Sequence, residues 1–209
     1  MSRLETVAAL VLPVLWNNRV LPSLGLPLRG RTAANIGFAA GYTKVFRGSP
    51  NWLAPSGFRW GLASTAVVLA GYAVVLAVPS LRRLPLEIAV RAPETSTLEW
   101  IALHIPVGTV LAEEAIFRGT LDPLLAESIG APALALSATD FGLWHIQPAT
   151  AVGDPVLPTV LATTVAGLVF GELRRRSGSA TAPALLHLAL NAGGALAPAA
   201  ARWVDARER

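Results

Sequence analysis

The chain has 209 residues, 53% of them hydrophobic and only 14% charged, with a mean hydropathy of +0.53. A soluble domain carries about 25% charged residues, so this composition excludes one and points to a polytopic membrane protein, one domain over 1–209. The net charge of +4 without a long basic run suits loops meeting anionic lipid headgroups rather than nucleic acid, and the absence of Cys excludes disulfides, a cysteine nucleophile and thiolate metal sites.

In chain order, Met1-Ser2-Arg3 followed by Val7 to Trp16 has the outline of a signal peptide. No small-x-small cleavage site follows, so a retained first membrane segment is expected. Leu4 to Leu24 is long enough to span, but Pro13, Asn17, Asn18 and Arg19 interrupt it, which predicts a broken or interfacial helix. Gly25 to Arg31 reads as a basic turn, Thr32 to Phe46 as a short or tilted helix, and Arg47 to Arg59, with two Pro and two Gly, as loop. Trp60 to Val78 is the clearest span, with Trp60 at aromatic-belt level.

Pro79 to Leu98 is charged and reads as extramembrane, with an interfacial helix over Leu86 to Arg91. Glu99 to Phe117 is the next span and Thr120 to Ser128 an amphipathic connector. Pro132 to Ile146 is a short span, and Pro148 to Pro155 a loop. Val156 to Leu173 spans again and ends in Arg174-Arg175-Arg176. After a turn, Pro183 to Ala201 forms the last span, and 202–209 a charged tail. The expectation is an all-α transmembrane bundle of about seven to eight spans in the cell membrane. Its orientation stays open: Arg174 to Arg176 and the basic stretch 44–59 favour the cytoplasmic side, whereas Arg82, Arg83 and Arg91 would then face outward.

Charges inside apolar helices are costly and call for a reason. Glu113, Glu114 and Arg118 stand at the end of the apolar run Trp100 to Ala112. Glu114 and Arg118 are four apart, with Glu on the N-terminal side, the favourable order for a helical ion pair. Glu113 is offset by about 100° and is left free for chemistry. Two further helices carry polar groups spaced by four behind an aromatic or another polar residue: Phe141 with His145, and His187 with Asn191. Four-residue spacing puts each pair on one helix face, so Glu113, His145, His187 and Asn191 can converge on one intramembrane cavity. A lone buried His such as His104 is more simply a hydrogen-bonded structural group.

A carboxylate beside an imidazole can deprotonate water, and a second imidazole with a carboxamide can donate to an oxyanion. These are the parts for hydrolysing a peptide bond without a covalent intermediate. Glu113, His145 and His187 are alternatively three ligands for a catalytic zinc with an open fourth position. A metal-free site is favoured, because Asn191 is a poor zinc ligand. A proton-coupled transporter, with Glu113, His145 and His187 as relay, and a non-enzymatic scaffold are competing readings. Clustering of the polar groups in one half, without an internal repeat, speaks against a transporter.

Glu113-Glu114-x-x-x-Arg118, Phe141-x-x-x-His145 and His187-x-x-x-Asn191 resemble, in order, the three motifs of the CPBP family (the Abi group), which comprises type II CAAX prenyl endopeptidases and bacterial relatives. The resemblance covers about Leu98 to Ala195. It implies a helical bundle that cleaves peptide bonds within or at the membrane, with Glu113 and His145 activating water. His187 and Asn191 would stabilise the oxyanion, and Glu114, Arg118 and Phe141 would support the site. The implied partners are membrane lipid and a peptide or protein substrate, lipidated or not. Relatives are also linked to bacteriocin processing and self-immunity, so an immunity protein joins the alternatives.

Overall fold

A computed structural model of the protein describes residues 3–88 and 94–208, and these are helical with short connections. Helix α1, Arg3–Leu15, runs on through a π-helical stretch, Trp16–Val20, and a last turn, Leu21–Ser23. Then come α2 (Leu28–Val45), α3 (Pro55–Ala77), α4 (Pro79–Ile88) and α5 (Thr97–Ile129). Helices α6 (Ala133–Trp144) and α7 (Ile146–Val152) follow, then α8 (Val156–Ser177) and α9 (Thr181–Arg207).

The starts and stops have local causes. Pro55 stands in the first turn of α3, where its missing N–H costs nothing. The Ser96 hydroxyl accepts from the Glu99 amide at 3.2 Å and caps α5. Gly153 and Gly178 end α7 and α8 with φ of 74° and 67°, a left-handed conformation that glycine adopts without strain.

Among the described residues, four helices are long and apolar enough to cross a bilayer: α3, α5, α8 and α9. Seven or eight spans are not confirmed by this criterion: α6 has only 12 residues, and neither the continuous helix from Arg3 to Ser23 nor α2 is apolar enough to meet it. Only 6% of the apolar window of α3 is buried, and Leu62, Val67, Leu69 and Val74 point outward. An apolar surface of that extent needs lipid rather than water against it. The protein is an all-α helical membrane bundle.

Three segments differ from the expected boundaries. The connector at 120–128 is instead the last part of α5, which continues through 33 residues. The loop at 148–155 is mostly helix α7, because Pro148 falls in its first turn, where proline is tolerated. The charged tail is helical through Arg207, and it is tied down: buried Arg82 donates to Asp205 at 2.9 Å and Glu208 at 2.6 Å. The interfacial helix expected over Leu86 to Arg91 lies partly outside the described residues.

The packing that matters for the site pairs α3 with α9 and α6 with α8. Small residues let α6 and α8 approach closely. A Cβ on Gly142 would meet the Val160 carbonyl oxygen at 2.8 Å and the Thr164 hydroxyl closer still, and one on Gly167 would meet Ala138 Cα at 3.0 Å. Close backbone approach of this kind is how membrane helices gain dispersion contact without a hydrophobic driving force.

Gly142→Val should therefore push α6 off α8 and destabilise the fold by about 1–3 kcal/mol, read as a lower midpoint in thermal unfolding of the detergent-solubilised protein. A second expectation concerns pH. The Arg82 hydrogen bond holds the Glu208 carboxyl below its ordinary value of 4.5. A lowered carboxyl stabilises the fold above its unfolded pKa, and that contribution is lost as pH falls through the folded value. Amide exchange over 202–207, corrected for intrinsic rates, should rise as pH drops below 4.5, and Arg82→Met should show the fast exchange already at neutral pH.

Candidate functional site

The first motif sits where α5 changes its winding. Trp100–Leu111 is π-helical, Ala112–Ile116 is a single α-helical stretch, and Phe117–Leu121 is π-helical again. Such widened turns re-aim side chains and recur at functional sites. Here they bring Glu113, Glu114 and Arg118 inward, all three at 5% exposure or less.

Each carboxylate has a different partner. Glu113 Oε1 accepts from the Trp144 indole N–H at 3.2 Å, across from α6. Its Oε2 is buried without a hydrogen-bond partner and lies 4.0 Å from His187 Nε2. Glu114 Oε1 lies 2.8 Å from His187 Nδ1. A carboxylate only accepts, so this contact places the proton on Nδ1 and turns Nε2 toward Glu113. The expected Glu114–Arg118 pair is present but looser, with Nε and Oε2 3.6 Å apart. The tighter partner of Glu114 is the histidine.

Arg118 is held more by rings than by oxygens. Its guanidinium carbon lies 4.2 Å from the centroid of Phe141, 5.0 Å from Phe170 and 5.6 Å from Phe117, and one N–H reaches the Gly167 carbonyl at 3.4 Å. A guanidinium is weakly hydrated and stacks on aromatic faces, which is how a cation is kept at 1% exposure here.

Phe141 is the hub between the two histidines. Its ring is 4.8 Å from that of His145 and 6.1 Å from that of His187, edge-on to both. Its carbonyl lies 2.7 Å from His145 Nδ1. A carbonyl only accepts, so Nδ1 carries the proton and Nε2 is left with its lone pair. His145 occupies the break between α6 and α7, at φ −90° and ψ 4°, and is less buried than His187. Phe170 stacks on His187 at 4.9 Å. Asn191 lies one turn beyond His187 on α9, partly exposed.

The structure thus brings Glu113, Glu114, Arg118, Phe141 and His187 into direct contact, joins His145 to them through Phe141, and leaves Asn191 on the same helix face as His187. His104 is outside this group. Its Nδ1 meets the Thr32 hydroxyl at 2.7 Å and its Nε2 meets Glu99 at 3.2 Å, a satisfied network at the other end of α5. Trp144 and Phe170 were not singled out from sequence. Trp144 could have been, since a buried indole N–H needs an acceptor and it directly precedes His145. Phe170 carries no such signal.

A cavity of about 580 Å³ lies on the α2 side of α5, between Ile36, Thr43, Lys44, Arg47, Leu111 and Ala115. None of the four expected catalytic residues lines it, so the shared cavity expected from sequence is not this one. Among the described residues, no three His, Asp or Glu side chains are grouped to hold a metal ion.

Residues 95–193 match the family model described as Type II CAAX prenyl endopeptidase Rce1-like. No curated protein and no solved structure matches the chain. The matched segment is a little under half of the chain, but it contains every residue of the buried cluster, from Glu113 on α5 through His145 to Asn191 on α9. Over that segment the chain is similar to type II CAAX prenyl endopeptidases of the Rce1-like family.

Proposed function

We propose that the protein is an intramembrane endopeptidase of the cell membrane that hydrolyses a peptide bond in a membrane-associated or lipidated peptide, using water activated by Glu113 and His145. The observation that carries this reading is Glu113 Oε2: buried, without a partner, and facing an imidazole nitrogen across 4.0 Å. That gap is too long for a direct hydrogen bond and suits a group held between the two. The other oxygen of the same carboxylate is fixed by Trp144, so the free one is aimed.

In the proposed reaction, Glu113 Oε2 takes a proton from the water while the Nε2 lone pair of His145, fixed by the Phe141 carbonyl, accepts the second water hydrogen. The water oxygen bonds to the carbonyl carbon. The developing oxyanion accepts from the Asn191 carboxamide and from His187 Nε2 when that nitrogen carries a proton, while Glu114 holds the ring by Nδ1, as an aspartate does for a catalytic imidazole. Glu113 then gives the proton to the amide nitrogen, the C–N bond breaks, and acid and amine leave. No step is routed through a metal.

The test is cleavage of a peptide library, with and without lipid chains, by the purified protein in lipid. Wild type and Glu113→Gln run side by side, with EDTA as a third arm. Glu113→Gln should lose cleavage by at least about 100-fold, the lower end of what general acid–base catalysis supplies, and keep its unfolding midpoint. Wild-type cleavage should survive EDTA. Loss in EDTA would move the reading to a metalloenzyme, and no cleavage of any peptide would return it to a scaffold, an immunity protein or a carrier. Glu114→Gln and Arg118→Met should instead lower folded yield, since each strands a buried partner at a cost of about 3–5 kcal/mol.

A further inference from the structure

The break between α6 and α7 that carries His145 is spliced by side chains from the first helix. In an uninterrupted helix the Leu143 carbonyl would accept from the Gln147 amide, and the Trp144 carbonyl from the amide of residue 148. Residue 148 is Pro and has no N–H to give. Asn17 Nδ2 donates to the Trp144 carbonyl at 2.8 Å instead, in a buried contact. Asn18 enters the other gap: its Nδ2 donates to the Leu143 carbonyl at 2.9 Å, and its Oδ1 accepts from the Gln147 amide at 2.7 Å. One carboxamide thus replaces the missing helical bond from both sides. Its orientation is not ambiguous, because one partner only accepts and the other only donates.

The first helix is shaped for this task. It widens into π-helical winding over Trp16–Val20, and Asn18 Nδ2 also bonds the Val14 carbonyl of its own helix at 2.9 Å. Trp16 stacks on Phe38 at 4.5 Å, and its indole N–H donates to Asn35 at 2.9 Å, fixing the stretch against α2. Both neighbours of the splice matter to the site. Trp144 holds Glu113 through its indole, and His145 is the residue at the break itself. The asparagines lie far outside the matched segment 95–193.

We propose that Asn18, assisted by Asn17, is a positioning residue for the hydrolytic site: it wedges open the α6–α7 break and so sets where the His145 ring and the Trp144 indole stand. This rests on the reading of His145 and Glu113 as the groups that activate water. It adds that their placement is set by the first helix, which the three motifs do not include.

Two readouts on purified protein separate this role from plain stability and from the functional reading itself. The first is steady-state cleavage of a peptide that the wild type cuts, with unfolding midpoints measured alongside. Asn18→Ala and Asn17→Ala should remain folded and lower kcat by about 10–100-fold, as expected for a displacement on the order of 1 Å, with KM within about twofold. The second is the ¹⁵N spectrum of histidine-labelled protein, which has three His, assigned through His104→Gln and His187→Gln. Wild-type His145 should show one tautomer, protonated at Nδ1, and the Asn18→Ala protein a mixture.

Asn18→Asp covers the case in which Asn18→Ala does not fold. It keeps the acceptor for Gln147 and loses the donor, so its activity relative to wild type should recover at low pH, where the neutral acid can donate to Leu143. An unchanged His145 spectrum in the folded variants, or kcat unchanged where wild type cleaves, overturns the proposal. If wild type cleaves nothing, the enzymatic reading fails. The histidine spectrum then decides the positioning role alone: a changed tautomer supports it and an unchanged one overturns it.

Discussion

Two carboxylates next to each other in an apolar bundle set the terms for everything around them. Removing a charge from water costs several kcal/mol even after relaxation, so Glu113 and Glu114 can be buried only if the fold delivers donors and cations to them. It does so from three directions: the Trp144 indole from α6, the His187 ring from α9, and Arg118 from the next turn of α5. Remove any one and the remaining partners are left desolvated and unpaired. The close packing of α6 on α8 at Gly142 and Gly167 belongs to the same requirement, because it brings Phe141 and Phe170 up to the guanidinium.

Three of the helices that build the site are irregular at the place where they do so, whereas α9 runs regularly through His187. Helix α5 is π-wound on both sides of the Glu113–Glu114 pair, α6 breaks at His145, and the first helix widens at Asn17 and Asn18. A regular helix buries one stripe, and its backbone polar groups are spent on itself. Each irregularity releases a carbonyl or an amide, and in a membrane each released group has to be bonded by protein. The carbonyls of Phe141, Leu143 and Trp144 are taken by His145, Asn18 and Asn17 respectively. The same departures that make room for chemistry therefore tie distant parts of the chain together.

Much of the site was legible because chemistry inside a membrane leaves few innocent explanations. Glu113, Glu114, Arg118, His145 and His187 are conspicuous in an apolar chain, and four-residue spacing correctly put Phe141 against His145. Spacing within one helix does not reveal partners between helices, so the 2.8 Å contact of His187 with Glu114 could not be read, and the i,i+4 pair of Glu114 with Arg118, at 3.6 Å, is the looser of the two. The span count was hard to read for a related reason. Short apolar stretches such as 133–144 look like spans when hydropathy is read alone, but this one is only 12 residues long, too few to cross a bilayer.

Asn17 and Asn18 show most sharply where sequence reading stops. On a one-dimensional view they interrupt an apolar segment, and interruption suggests a helix end or an interface. Their bonds run to residues more than 120 positions away, a distance over which no periodicity carries information. What decides their role is Pro148, which withholds an amide from the Trp144 carbonyl, and proline and asparagine become partners only once the chain has folded. Polar residues that seem to weaken a membrane helix are, in this bundle, the donors that another helix lacks. The cost of carrying them in α1 is offset where α6 has been broken to present His145.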